Sequence, residues 1–318
     1  KFWRFIFMKK AFMLGICSSF FFAFTFILNQ QMHLSGGSWY WSSSLRYIFM
    51  LPMLLIIMIS KRQLKEVIID IRKKPLSWLL WSTIGFGFFY APLSFASSYG
   101  ASWLVAGTWQ LTIVAGGLMS PLFFKIIKTE KGIVKIRNKI PKKSLLISLL
   151  ILVGIALMYI EEATDISLLN TMLVIIPVII AAFSYPLGNR KMMEICDSNI
   201  NTIQRVFGMT LCSIPFWIII SLLGISNSGL PGKSQLIQSF IVAVFSGIIA
   251  TILFFKATDI VKDNSHNIAI IESTQAGEVV FTLLGGILIF HDTVPTTLSL
   301  LGLIIVVLGM ILNSFVRS

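Results

Sequence analysis

The chain alternates between long apolar runs and short polar segments, and this alternation predicts its architecture. A helix needs about 20 residues to cross about 30 Å of hydrocarbon. Most of the apolar runs reach this length, and they lie at about 11–29, 39–59, 77–97, 101–124, 144–160, 168–187, 206–223, 237–255, 267–290 and 295–315. The pattern predicts an all-α integral membrane protein with ten transmembrane helices.

The basic residues fall on one side of the membrane when the ten runs are taken as spans. Of the 26 Lys and Arg residues, 24 precede the first span or follow an even-numbered span. The exceptions are Lys233 and Arg46, which lies inside the second span. Because loops rich in Lys and Arg stay in the cytoplasm, both termini of this multi-pass protein of the cell membrane are predicted to be cytoplasmic.

Composition supports a membrane protein and excludes several other classes. Hydrophobic residues make up 56% of the chain and charged residues only 12%, which does not suit a soluble domain of 318 residues. The formal charge of +13 is explained by short basic loops that attract anionic membrane lipids, so no nucleic-acid partner is expected. The three cysteines show neither metal-ligand nor disulfide spacing, and no metal or cofactor is predicted.

The first seven residues precede Met8-Lys9-Lys10, a sequence that resembles a natural start. Residues 1–7 are therefore predicted to be an N-terminal extension without functional weight. The apolar run that follows has no small-x-small cleavage site of the kind that ends a signal peptide. It is predicted to be retained as the first span.

The two halves of the chain resemble each other in sequence. Residues 22–28 align with 181–187, and the same offset of 159 carries Arg46 onto Arg205. Gln110 matches Gln275 at an offset of 165. Each half holds five spans, an odd number, so the second half must enter the membrane from the opposite face. We predict a first five-helix repeat over 8–160 and an inverted second repeat over 167–318, with a substrate site near the midplane between them.

Several segments resemble a known family. Residues 272–278, 284–292 and 301–309 resemble the C-terminal repeat of the drug/metabolite transporter superfamily, and the first half, with Arg46, is similar to its first repeat. Residues 29–31 and 184–190 most resemble the bacterial group called putative multidrug resistance efflux transporters. The resemblance covers nearly the whole chain and implies a ten-helix bacterial transporter. Gln275 stands where a proline is usual and His291-Asp292 replaces a Gly-Glu pair, so no substrate is carried over.

Ionisable residues inside spans cost roughly 2.5–3.5 kcal/mol each on insertion scales, which makes them candidates for function. Glu272, Gln275, Glu278 and Thr282 follow helical spacing along one face of the ninth span. This polar stripe is predicted to face a cavity or other helices rather than lipid. Two alternatives stay open: the carboxyls could serve only as packing contacts, and Glu272 could reach the cytoplasmic interface.

Burial disfavours the charged form of a carboxyl group, so Glu278 could exchange a proton near neutral pH. A proton and a cationic substrate would then compete for one carboxylate. Arg46 lies about seven residues into the second span. It could pair with a carboxylate of the ninth span, extend to the interface or have a structural or gating role. The matched Arg205 favours the last of these.

Tyr90, Trp109 and Gln110 are predicted to lie at a depth comparable with Glu278. Aromatic rings beside a carboxylate suit an apolar cation, although Trp109 could equally well fill a helix interface. The predicted substrate-binding or proton-coupling set is completed by Glu278, Glu272, Gln275 and Arg46.

The sequence contains no complete enzyme motif, and no catalytic residue is predicted. The segment 229–234 ends like a phosphate-binding loop, but Asn227 occupies its required first glycine position. The chain also has no ATP-binding domain, so uphill transport must use an ion or substrate gradient.

The sequence therefore predicts a secondary active transporter that exports a small organic drug or metabolite by proton antiport. The alternative is an exporter or facilitator of an amino acid or other metabolite without proton coupling, in which Arg46 binds a carboxylate. A scaffold or lipid scramblase would be expected to lack a polar midplane cavity. Because both inverted halves share one chain, a monomer can be complete, and a homodimer stays open.

Overall fold

The computed structural model describes residues 2–129, 132–165, 168–196, 200–261, 265–292 and 294–315. Residue 1 and position 167, the predicted start of the second repeat, lie outside the described residues. The first half contains the helices α1 (Phe2–Leu34), α2 (Trp39–Ser60), α3 (Leu64–Lys73), α4 (Pro75–Ser82), α5 (Phe88–Ala96), α6 (Ser102–Trp109), α7 (Leu111–Leu118) and α8 (Lys142–Asp165). The second half contains α9 (Leu168–Ile195), α10 (Thr202–Ser228), α11 (Lys233–Val242), α12 (Thr251–Val261), α13 (Ser265–Ser273), α14 (Ala276–Phe290) and α15 (Thr297–Phe315).

Eight helical stretches in the described part of the chain are long and apolar enough to cross a membrane. They are Met8–Leu34, Trp39–Ser60, Pro75–Ala96, Lys142–Ile160, Leu169–Ile195, Thr202–Ser228, Lys233–Val261 and Ile270–Phe290, and Thr297–Asn313 is a shorter apolar helix. The predicted fourth run, 101–124, differs from a single long helix. It is divided at Gln110 into α6 and α7, and helical structure ends with a 3-10 turn at Ser120–Leu122.

In the part of the chain that the structure describes, a two-stranded hairpin interrupts the helical architecture. The strands β1 (Phe124–Thr129) and β2 (Gly132–Arg137) pair antiparallel, with Phe124 opposite Arg137 and Thr129 opposite Gly132. The pattern of apolar runs predicts only a basic loop between the fourth and fifth spans. The isoleucine and valine residues of this segment favour the extended conformation, which explains the strands.

Hydrogen bonds between loops define the two ends of the bundle. At the end that carries the hairpin, here the hairpin end, the Gln204 side chain donates to Glu66 and to the Gln63 carbonyl. The same side chain accepts from the Asn201 backbone N–H and completes a capping box that starts α10. At the opposite end, here the turn end, Gln235 donates to the Ser38 carbonyl at 2.7 Å.

Two π-helical segments interrupt apolar helices at matched places. Thr83–Gly87 joins α4 to α5, and Ala243–Ala250 joins α11 to α12, so the two segments start 160 residues apart. A π turn inside an α-helix often marks a functional site and allows the helix axis to bend. The two helices that carry these turns both contribute residues to the centre of the bundle.

The helices pack in pairs that survive an exchange of the two halves. In the centre α2 packs on α10, and at one side α8 packs on α15. Helix α1 packs on α12 and α14, and in the same way α9 packs on α5 and α7. Helix α6, of the broken pair α6–α7, meets α14. The contacts of α1 with α12 and α14 therefore have counterparts in those of α9 with α5 and α7, whereas the contacts of α6 with α14 and of α3 with α10 have no counterpart of comparable extent among the described helices.

Helices α8 and α15 approach so closely because glycine faces backbone at their contact. A Cβ added to Gly154 would lie 2.6 Å from the Gly302 carbonyl oxygen, and one added to Gly302 would lie 2.5 Å from the Gly154 carbonyl oxygen. Helices in membranes associate through such small-residue contacts, since lipid removes the hydrophobic drive for association.

Candidate functional site

Glu278 occupies the first turn of α14, directly after the helix is interrupted at Thr274 and Gln275. Only 2% of Glu278 is exposed, so its side chain faces neither lipid nor water outside the bundle. The backbone tightens at the interruption, because the N–H groups of Gln275, Gly277 and Glu278 each donate to the carbonyl three residues before them. The carboxyl group of Glu278 therefore lies at a tightened turn inside the span, where its own backbone N–H is already paired.

Two side chains from the other broken span face this carboxyl group. Trp109 and Gln110, at the break between α6 and α7, present hydrogen-bond donors to Glu278. Gln110 is fully buried, and its Nε2 also donates to the Ala106 carbonyl at 3.1 Å. Glu278 Oε2 and Gln110 Oε1 have no hydrogen-bond partner among the described residues. Unpaired buried oxygens are costly, and a ligand or a proton can satisfy them.

Three aromatic rings form a wall beside Glu278. Phe89 lies 5.0 Å from Trp109 and 4.7 Å from Tyr185, measured between ring centroids, and Trp109 lies 5.6 Å from Tyr185. Tyr185 therefore packs against Trp109, the residue that faces Glu278. Sequence analysis placed Trp109 here but missed Phe89 and Tyr185. The signal for Tyr185 was present, because it lies in the repeated segment 181–187.

Arg46, on α2, is a second buried charge. Arg46, Tyr90, Trp109, Gln110 and Glu278 are together called the polar centre. Its guanidinium is stacked 4.0 Å from the centroid of the Tyr90 ring, and its Nη1 donates to Thr25 Oγ1 at 3.3 Å. Only 2% of Arg46 is exposed, so it does not extend to the interface. It forms no salt bridge with a described carboxylate, and its Nε has no described hydrogen-bond partner.

Tyr90 is fixed beneath Arg46 by a second polar contact. Its side chain is fully buried, and its hydroxyl accepts a hydrogen bond from Asn29 Nδ2 at 3.2 Å. Asn29 belongs to α1 and Tyr90 to α5, so the contact joins two helices that carry the polar centre. Asn29 was quoted in the family resemblance but was not among the predicted site residues.

Arg205, the sequence match of Arg46, has a different environment. Its Nη2 lies 3.6 Å from Asp259 Oδ1, and its guanidinium lies 5.0 Å from the Phe255 ring centroid. Thr202 also donates a hydrogen bond to Asp259. The two matched arginines therefore differ in charge compensation: Arg205 has a carboxylate partner, whereas Arg46 has none within the described ranges.

Glu272 is not brought together with Glu278. It lies at the hairpin end, where its Oε1 is 3.7 Å from Arg190 Nη2 and 40% of its side chain is exposed. Arg190 also donates to the Gly116 carbonyl at 3.0 Å. Arg190 therefore connects α9 to α13 through Glu272 and to α7 through Gly116, on the side of the polar centre that faces the hairpin end.

Gln275 lies within the interruption between α13 and α14. It is half-buried, and its Nε2 has no hydrogen-bond partner in the described part of the chain. The matched Gln110 lies in the corresponding interruption of the other half. Both amides therefore occupy a helix break, and only Gln110 faces Glu278 directly.

The turn end is closed by hydrogen bonds to Asp292. Asp292 Oδ2 accepts from Ser102 Oγ at 2.7 Å, and its Oδ1 accepts from Gln31 Nε2 at 3.2 Å. Gln30 Oε1 accepts from the Ser102 backbone N–H at 2.7 Å. The centre thus lies between two polar contacts, one at each end. Among the described residues no group of three His, Cys, Asp or Glu side chains could hold a metal ion.

Comparisons with known proteins agree with this architecture. The chain is 52% identical over 306 residues to the uncharacterized protein YjlA of Bacillus subtilis (strain 168), covering 96% of this chain and 94% of the relative. It is 49% identical over 269 residues to an uncharacterized 42.1 kDa protein of Shouchella clausii, covering 85% and 70%. One solved crystal structure shares the fold, with a TM-score of 0.59 over 96% of this chain and 97% of that chain, at 11% identity.

A family model matches almost the whole chain. The model described as putative multidrug resistance efflux transporter covers residues 9–318. The matched range contains Glu278, Arg46 and Arg205. With multiple apolar helices and bacterial relatives, the chain is a multi-pass membrane protein, and it belongs to this efflux transporter family of the drug/metabolite transporter superfamily.

Proposed function

We propose that the chain is a secondary active transporter that exports small organic compounds in exchange for protons. Its family supports small-molecule efflux. The observation that carries the proposal is the buried Glu278 carboxyl group between two interrupted helices, with an oxygen that has no partner among the described residues. The partners of such a site are protons and a small organic substrate.

The proposed architecture is ten transmembrane helices in two inverted repeats, with both termini in the cytoplasm. In it, α6 and α7 together make the fourth span and α15 the tenth. The exchange symmetry of the packing pairs supports the repeat, as do the π segments 160 residues apart. The hairpin end, where most basic loops lie, is then the cytoplasmic end. Interrupted helices around a midplane site are typical of inverted-repeat transporters.

The mechanism follows from two opposing effects on Glu278. Burial disfavours the charged carboxylate, whereas the hydrogen-bond donors on Trp109 and Gln110 favour it. A group balanced in this way can exist in either protonation state. A substrate cation that binds the carboxylate displaces the proton, and a proton from the other side displaces the substrate. Exchange results if the site opens to one side at a time.

The other predicted residues take roles that follow from their positions. Trp109 and Gln110 hold the carboxylate, and Tyr90 positions Arg46. Gln275 offers an amide at the break of the ninth span. Glu272, paired with Arg190 at the hairpin end, would hold the cytoplasmic entrance closed. The proposed unit is a monomer in the bacterial cell membrane, since one chain supplies both halves.

The test is proton movement in proteoliposomes that contain a pH dye and the purified full chain. Addition of 2-phenylethylamine, an apolar cation, should move protons across the membrane with the wild-type protein. Glu278→Gln keeps the size of the side chain but cannot ionise, so proton movement should fall to the level of empty liposomes. Glu278→Asp should retain it with a shifted pH optimum. Undiminished proton movement in Glu278→Gln would exclude Glu278 as the proton carrier.

A further inference from the structure

The unpaired charge of Arg46 needs an explanation. Removing a guanidinium from water is costly unless an anion or several acceptors compensate it. Arg205 meets this requirement through Asp259, at 3.6 Å. Among the described residues Arg46 has one hydroxyl acceptor, Thr25 Oγ1, and the faces of the Tyr90 and Tyr47 rings, at 4.0 and 5.6 Å from the ring centroids. Its Nε is buried without a described partner. The centre thus holds a cation with unused donors.

The donors of Arg46 are held in a fixed orientation. The guanidinium is held over Tyr90, and Tyr90 is held by Asn29 on α1. Thr25, which accepts from Arg46, also shares a hydrogen bond with Ser246 in the second π segment. A planar guanidinium that is held in place with free N–H groups suits a carboxylate, which it can bind through two parallel hydrogen bonds.

Arg46 and Glu278 belong to one centre but do not touch. The Arg46 guanidinium lies over the Tyr90 ring, the Tyr90 and Phe89 ring centroids are 5.8 Å apart, and Phe89 packs on Trp109, which faces Glu278. No salt bridge between described residues joins Arg46 to Glu278. Arg46 is seven residues from the turn-end start of α2, and Glu278 is twelve residues from the turn-end limit of α14. At about 1.5 Å per residue, the two groups differ in depth by roughly 8 Å. A molecule with charges of both signs can bridge such a gap.

We propose that the substrate is a small zwitterion of the amino-carboxylate class, with its carboxylate on Arg46 and its ammonium group on Glu278. Its apolar part packs against Phe89, Trp109 and Tyr185, whose rings are within 6 Å of one another. The zwitterion compensates both buried charges at once, which neither a simple cation nor a simple anion does. This substrate class rests on the proposed function, because it uses Glu278 as the shared site.

Three probes of one shape test the proposal. L-phenylalanine carries both charged groups, 2-phenylethylamine only the ammonium group and 3-phenylpropionate only the carboxylate. Binding is measured on the purified full chain in nanodiscs, and dye-loaded proteoliposomes report proton movement. Since a hydrogen bond to a charged group contributes about 1.5–3 kcal/mol, L-phenylalanine should bind at least about tenfold more tightly than either analogue. Arg46→Gln should remove this advantage and leave the affinity for 2-phenylethylamine within about twofold, because the ammonium group does not use Arg46.

The control is the double variant Arg205→Gln with Asp259→Asn, which removes the matched guanidinium together with its partner. It should bind L-phenylalanine as the wild type does. Equal affinity of the wild type for L-phenylalanine and 2-phenylethylamine would overturn the zwitterion proposal. The same conclusion would follow if Arg46→Gln lost equal affinity for both probes, or if no probe bound.

The readouts separate the two proposals. Proton movement by 2-phenylethylamine without preference for L-phenylalanine leaves proton antiport standing and overturns the zwitterion. Binding of L-phenylalanine that depends on Arg46 but moves no protons leaves the substrate class standing and overturns antiport.

Discussion

Glu272 and Glu278 lie six residues apart on one face of the ninth apolar run, yet the structure gives them different environments. Glu272 is 40% exposed on its side chain and has a charged partner, Arg190, at 3.7 Å. Glu278 is 2% exposed and meets only neutral donors, Trp109 and Gln110. The helix break at Thr274 and Gln275 lies between them. A charged partner holds a carboxylate in one state, whereas neutral donors leave it free to change.

The largest effect in this comparison is expected from Gln110→Leu. The change removes a donor from a buried carboxyl group and adds no replacement. Since a hydrogen bond to a charged group contributes about 1.5–3 kcal/mol, transport of 2-phenylethylamine should fall by at least about tenfold. The initial rate of proton movement in proteoliposomes measures it. Gln238→Leu, which removes an amide bonded to Ser234 at the turn end, should leave the rate unchanged. Equal losses in the two variants would contradict a specific role for Gln110.

A smaller effect is expected from Trp109→Phe. Phenylalanine keeps an aromatic ring against Phe89 and Tyr185 but loses the indole N–H that faces Glu278. The rate should fall by about threefold to tenfold, near the lower limit for loss of one bond to a charged group. Trp103→Phe is a matched control on the same helix, because the Trp103 N–H is buried without a described partner. A loss in Trp103→Phe as large as in Trp109→Phe would show that ring size alone decides the rate.

The smallest effect is expected from Glu272→Gln. Exposed ion pairs contribute about 0–1 kcal/mol, so the transport rate should change by no more than about fivefold, and proton coupling should persist. Arg190→Gln should change the transport rate by a similar factor, and the rate of the double variant should differ little from that of either single variant. The stoichiometry of protons to transported probe is the decisive measurement. Loss of coupling in Glu272→Gln would move the proton site to the hairpin end and remove the contrast with Glu278.

The hydrophobic pattern predicted ten spans, and eight described helical stretches are long and apolar enough to cross a membrane, because span length is set by membrane thickness. It could not predict the division of the run 101–124 at Gln110, since α6 and α7 together are as apolar as an unbroken span. The same holds for the π segments at 83–87 and 243–250, where hydrogen bonding changes without a change in polarity. The hairpin was missed because its isoleucines and lysines also fit a basic loop.

The site was predictable where a charge stood alone in an apolar run. Glu278 and Arg46 were recognised for this reason, and Gln110 was recognised because it matches Gln275 in the repeat. The environment of each charge depends on distant residues: Arg190 is 82 positions from Glu272, and Tyr90 is 44 from Arg46. Tyr185 gave a weak signal, since aromatic residues are common throughout the chain and pack in most places.

The π turn at Thr83–Gly87 has a consequence for the helical phase of the third span. At its hairpin end the helix is fixed in rotation, because Trp78 Nε1 donates to Asp70 at 2.9 Å. A π turn holds one residue more than an α turn, so it rotates everything beyond it by about 100°. That rotation aims Phe89 at Trp109 and Tyr90 at Arg46. Deletion of one residue from Thr83–Gly87 would give a more regular helix, but it would turn Phe89 away from Trp109 and Tyr90 away from Arg46.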